Sequence, residues 1–212
     1  MVHDMTAAIE TPVPACSPHA GAGPTRPLVI ALDIALINSG IAGTGWTDHI
    51  RSGNRRDEER LDYVLDGAAS FYRHAEYVVL EGPSFGSALQ RGHDEMAAAR
   101  WMIRCDLRKR GIPCAIVPPD NRTLYALGHA RPKDPVTGKK YDSKQVKGLV
   151  RDAVAARYGI DCTGTTRYDQ ADAYVLLAMG LDHLGQPLVD VPVTHSRALA
   201  GVQWPDLGAV SA

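Results

Sequence analysis

Leu28-Val29-Ile30-Ala31-Leu32-Asp33-Ile34-Ala35-Leu36 is a continuous apolar run broken by one charge, Asp33. Apolar residues without alternation are the mark of a strand buried on both faces, and such strands lie inside sheets covered by helices on either side. A second run, Tyr77-Val78-Val79-Leu80-Glu81-Gly82-Pro83, has the same character and ends in a carboxylate just before a Gly-Pro stop. The carboxyl ends of parallel strands are where site residues gather. Each acid could instead serve a nearby helix terminus, but neither strand has another use for a charge.

Working outward from these two strands gives an α/β order. Asn38-Ser39-Gly40 and Gly43-Thr44-Gly45 punctuate an antiparallel meander that continues through Trp46 and Thr47 towards Ile50. These glycines read as turn residues and follow neither the dinucleotide nor the P-loop spacing. Arg56 to about Ala75 suits a surface helix with Leu61, Val64, Leu65, Ala68 and Phe71 or Tyr72 inward. A longer helix runs from Ala88 to Arg110, closed by Gly111 and Pro113, and Cys114-Ala115-Ile116-Val117 is a short strand. Ala130 to Tyr141 reads as an exposed loop, after which Asp142 or Ser143 caps a helix to about Tyr158. The expectation is a mixed sheet, an antiparallel meander plus parallel strands, flanked by helices.

The last helix opens Asp169-Gln170-Ala171-Asp172-Ala173. Asp169 and Asp172 share a helical face that continues through Ala173, Leu176 and Gly180, so two like charges point where the helix should meet the core. Burying an ionised carboxylate is costly unless a countercharge compensates it, and a metal ion can serve several carboxylates at once. The competing reading is local. Acids are favoured in a helix's first turn, and Thr166-Arg167-Tyr168-Asp169 resembles a capping box.

With 212 residues and ordinary apolar content, the chain can bury one good core. We expect a poorly ordered tail over 1–27, a single domain over 28–184 and an extension over 185–212, of which the sequence says little beyond turn residues and isolated apolar residues such as Trp204. Cys16, Cys105, Cys114 and Cys162 have no zinc-finger spacing and read as reduced, mostly buried thiols of a cytosolic protein. No apolar run is long enough to span a membrane, and the N-terminal stretch lacks the apolar segment of a signal peptide.

The net charge of −1 conceals a sorting of signs. Between Arg100 and Arg151 there are thirteen Lys or Arg residues against four acids, Asp106, Asp120, Asp134 and Asp142. On the helix beginning near Ser143, Lys144, Lys147 and Arg151 line one face and Val146, Leu149, Val150 and Ala153 the opposite one. A solvated helix face usually interleaves signs; a uniform face favours a polyanionic partner. Carboxylates beside such a strip suit phosphodiester hydrolysis. Their hard oxygens suit Mg²⁺ or Mn²⁺, and paired ions about 3.5–4 Å apart can activate water and stabilise a leaving oxygen.

A strand-borne Asp33 before a glycine-containing hairpin, Glu81 at the end of a later strand, and a final helix opening Asp-x-Ala-Asp-Ala resemble the RuvC family of Holliday junction resolvases, over about Leu28 to Leu184. The resemblance implies a ribonuclease H-like fold and a crossover junction endodeoxyribonuclease, cytoplasmic in a bacterial or phage-infected cell and active in DNA recombination and repair. It implies metal-ligand roles for Asp33, Glu81, Asp169 and Asp172, two Mg²⁺ (or Mn²⁺) ions per site, a homodimer, and branched DNA as partner. Ser87-Ala88-Leu89-Gln90-Arg91-Gly92 resembles the family's start of the long helix, and Asp142-Ser143-Lys144-Gln145-Val146 a segment in which the family keeps a functional lysine, here Lys144.

There are departures. Ile34-Ala35 follows the first Asp where the family commonly has a small pair such as Pro-Gly, the connection after Glu81 is short, and the 130–141 loop is extended. Phe85 is the candidate for the aromatic that helps open a junction, and could equally be a core residue. Three other classes fit parts of the pattern. A nuclease of the same fold could act on structured RNA, RNA–DNA hybrid or flap substrates. A catalytically silent DNA-binding protein would not need four acids, and an actin-like sugar kinase or ATPase needs two copies of the domain.

Overall fold

The computed structural model describes residues 26–84 and 92–206. Every residue of β1 (Val29–Asp33) is buried, and so is all of β4 (Tyr77–Glu81) except Glu81, because a layer covers each side of both strands. The sheet has five strands in the order β3-β2-β1-β4-β5. β2 (Asn38–Gly43) and β3 (Trp46–Arg51) form the antiparallel meander, whereas β4 and β5 (Cys114–Val117) run parallel to β1. This is the mixed sheet that the two apolar runs and the glycine-punctuated hairpin imply.

Side chains alternate between faces along each strand. Ile30, Leu32, Val78 and Leu80 meet α1 (Asp57–Tyr72) and α2 (His93–Lys109) through Val64, Ala68, Tyr72, Ile103 and Leu107. On the other face, Val29, Ala31, Tyr77 and Val79 meet a layer built from α3 (Pro119–Leu127), α4 (Ser143–Tyr158) and α5 (Arg167–His183). The same alternation carries Asp33 and Glu81 to the α5 face. Their strands are paired with Leu32 opposite Leu80, so the two acids stand one step further on, at neighbouring strand ends.

α5 is buried on all sides from Ala171 to Leu181. Two glycines let it come so close to the sheet. A Cβ at Gly180 would collide with Val79, and one at Gly40 would overlap the main-chain carbonyl of Asp169. Gly40 is therefore not a turn residue as the sequence suggested; it lies within β2, paired with Asp33, and its bareness admits the start of α5 beside that acid. Gly45, at positive φ between β2 and β3, is the turn glycine. The bend after Asp33 closes without a small pair: the Ser39 hydroxyl accepts from the Ala35 N–H at 3.1 Å and donates to the Ala35 carbonyl at 2.8 Å.

Other expectations need adjustment. The first helix ends at Tyr72, not near Ala75. The long helix is described from His93, so its expected beginning at Ala88 lies outside the described residues. Cys105 is exposed, while Cys114 is half-buried and Cys162 buried. α3 was not foreseen at all. Nor was the packing of the segment after Gly185, where α6 (Val193–Ser196) and a 3-10 turn (Arg197–Gly201) place Ala198 and Val202 in the same core as α5. Among the described residues, no helix is long and apolar enough to cross a membrane.

Candidate active site

Asp33 and Glu81 end adjacent parallel strands, and the first two turns of α5 lie over them with Asp169 and Asp172. Asp172 is the deepest, 1% exposed, and Asp33 is 7% exposed. Glu81 and Asp169 are open at 17% and 18%, so the cluster has a floor and a mouth. Of the local alternatives for Asp169 the capping box does not form, although the residue does lie in the first turn of α5. Thr166 is the N-cap of α5 without a side-chain capping bond, its hydroxyl accepting from Gln170 Nε2 at 2.8 Å. Asp169 turns to Lys147, whose Nζ lies 3.5 Å from Oδ1.

The residue that sequence reasoning missed is Arg122. α3 carries it, 9% exposed, into the cluster, where Nη1 stands 2.9 Å from Glu81 Oε1 and 2.6 Å from Asp172 Oδ2. These close ion pairs compensate Glu81 Oε1 and Asp172 Oδ2, whereas the buried Oδ1 of Asp172 is left without a hydrogen bond. The electrostatics show how crowded the acids are. Burial, followed by Glu81 and then Asp169, drives Asp33 well above the usual carboxylate range despite Arg122. Burial likewise pushes Asp172 up to about 7, with Asp33 and Asp169 adding to the rise and Arg122 and Lys147 opposing it. Burial opposes the charge on Lys147, but Asp172, Asp169 and Asp33 outweigh it and hold the ammonium above its ordinary value.

An unbonded, buried carboxylate oxygen and acids driven towards protonation by burial and then by one another fit a hard divalent cation. The fit is incomplete as the cluster stands. Among the described residues, no three acid, His or Cys side chains are gathered tightly enough to hold an ion, and Arg122 is interposed between Glu81 and Asp172.

No family model matches the sequence, and no curated protein does. Solved structures do. A Thermus thermophilus RuvC structure matches with a TM-score of 0.53 at 12% identity, over 75% of this chain and 97% of the other. T. thermophilus RuvC in complex with Holliday junction substrate matches with a TM-score of 0.51 at 13% identity, over 76% and 97%. The chain has the RuvC fold. It is a ribonuclease H-like mixed sheet, as the strand-borne acids and the final helix imply.

Within this RuvC-like frame, the basic residues of α4 do not act alike. Lys144 is exposed in the first turn, after an Asp142/Gln145 capping box. Lys147, one turn later, is the one beside the acids. Arg151 pairs with Asp152 at 2.6 Å and stands 6.0 Å from the Tyr168 ring. The 130–141 loop is largely exposed and folds back through a Lys133–Lys140 bridge, with Arg131, Lys133, Lys139 and Lys140 all at the surface. Phe85 lies outside the described residues. Arg122 was legible only as one basic residue among thirteen. The signal that could have found it is Pro119 and Asp120 opening a helix that Gly128 closes, with Arg122 one turn in.

Proposed function

We propose that this chain is a divalent-metal-dependent, structure-selective endodeoxyribonuclease that cuts branched DNA such as four-way junctions. The observation that carries this reading is the convergence of Asp33 and Glu81, at the strand ends of a RuvC fold, with Asp169 and Asp172 of α5, where the buried Asp172 Oδ1 lacks a hydrogen bond. Those four residues would hold Mg²⁺ or Mn²⁺. The bound metal supplies a water nucleophile at neutral pH and charge stabilisation at the phosphate.

The chain's own residues do the rest. Asp172 and Asp33 form the buried floor, and protonation of either before loading is exchanged for the ion. Lys147 fixes Asp169 at the mouth and places positive charge where a phosphate enters. Lys144 and Arg151, with the basic loop, track the backbone of the nucleic acid. The exposed face of α2, where Trp101 is 58% exposed, is the surface on which a second copy would pair to form a two-fold assembly. A bacterial or phage-infected cytoplasm is the setting this activity fits.

The experiment is a substrate comparison in Mg²⁺ and in EDTA, using a four-way junction, a flap, an RNA–DNA hybrid, structured RNA and single-stranded DNA. Metal-dependent cutting of the junction above the others supports the proposal. Preferential cutting of RNA or hybrid replaces it with the other nuclease of this fold, and cutting unaffected by EDTA removes the metal role.

A further inference from the structure

Arg122 is the feature of the site that the proposed chemistry does not use. A permanently charged guanidinium is placed where carboxylates meant only for metal ions would not need it. Nη1 bridges Glu81 and Asp172 at 2.9 and 2.6 Å. A guanidinium keeps its charge throughout the working pH range, so it cannot vacate its role by losing a proton.

The helix that carries it is tied down from several sides. Asn121 Nδ2 donates to the Ala198 carbonyl at 2.8 Å, and Gly201 is bare where a Cβ would meet Asn121. Arg157 Nη2 donates to the Ala126 carbonyl at 3.0 Å, and Tyr125 Oη donates to Asp182 at 2.9 Å. The C-terminal segment thus has a definite task in holding α3 in register with the site.

Charge balance then limits what else enters. Once deprotonated, as metal ligation requires, the four carboxylates face two cations, Arg122 and Lys147, which leaves a deficit of two positive charges. One divalent ion closes it. A second would have to share Glu81 and Asp172 with a guanidinium already in contact with both, at a distance where like charges repel strongly in a buried site.

We propose that Arg122 is a resident cation standing in for one metal ion, so that the site takes a single divalent ion where the sequence resemblance implies two. This rests on the proposed metal-dependent reading. Asp33, Asp169 and the unbonded oxygen Oδ1 of Asp172 are what Arg122 leaves for that ion, which must draw them together, since among the described residues no three acids already stand close enough to hold one. Glu81 belongs chiefly to the arginine.

Mn²⁺ is the probe. Its binding is counted by calorimetry and by electron paramagnetic resonance on the full chain, in wild type, Asp33→Asn, Arg122→Gln and Arg122→Met. The inference expects one ion per wild-type chain, sharply weakened in Asp33→Asn, and two per chain in the Arg122 variants, with the spectrum of a spin-coupled pair. Two ions in wild type, or a coupled pair when a four-way DNA junction is added to it, overturns the inference but leaves metal-dependent hydrolysis standing. One ion in both wild type and folded Arg122 variants also overturns it. If the variants fail to fold without metal, the wild-type count and coupling with and without the junction decide. No Asp33-dependent Mn²⁺ binding at all fails the metal reading itself.

Discussion

Gly40 has no side chain because the carbonyl of Asp169 occupies the space a Cβ would need. That single absence brings α5 against β2 and puts Asp169 next to Asp33. Gly40→Ala must push the helix away or strain the strand, costing about 1–3 kcal/mol by analogy with other overpacked cores. Urea unfolding should show that loss, and surviving protein should bind Mn²⁺ more weakly. Unchanged stability would mean the close approach is not tight. Asp172 gives a second test at this scale. Its proton is held up to about 7 in the fold against 3.8 ordinarily, so between those values the folded state keeps a proton that the unfolded chain has released. Stability of the metal-free protein should therefore fall as pH rises from about 4 to about 7. Asp33 acts in the same direction. Saturating Mg²⁺, or Asp172→Asn, should flatten the decline, and a metal-free curve that rises through this window would contradict the assignment.

Among the elements, α4 divides its basic residues between two tasks. Lys147 is beside Asp169, whereas Lys144 and Arg151 face outward or pair with Asp152. Lys147→Ala should lower the cleavage rate more than junction affinity. Lys144→Ala with Arg151→Ala should weaken binding to many DNA sequences alike and lower the salt slope by about one unit per lost phosphate contact. An unchanged slope would make the strip a solvated helix face. The strands and long helices were readable in the sequence because each carries a periodic or continuous apolar pattern, and because a lone Asp33 or Glu81 in such a pattern stands out. α3 was not, since two prolines look like a stop and nine residues span too few turns for a periodic pattern to stand out. The inward turn of Arg122 depends on the acids it meets, which come from β4 and α5 and are distant in sequence.

For the molecule as a whole, the outer surface of α2 is the unclaimed one. Ile103 and Leu107 cover the sheet, while Trp101 and Cys105 face away from it, with the Arg104 guanidinium 4.1 Å from the Trp101 ring. Sedimentation at micromolar concentration should give a dimer, and Trp101→Glu a monomer that remains folded; wild-type monomer would leave this face without its proposed partner. The central claim is that four carboxylates in a RuvC fold form one metal-dependent nuclease site. The measurement that tests it most directly is cleavage of a four-way DNA junction in Mg²⁺ beside junction binding, for wild type and for Asp33→Asn, an exchange that keeps shape and removes the charge that holds the ion. Cleavage should fall by several orders of magnitude while binding stays within a few-fold of wild type. Asp33→Asn that cuts the junction at the wild-type rate would contradict the account.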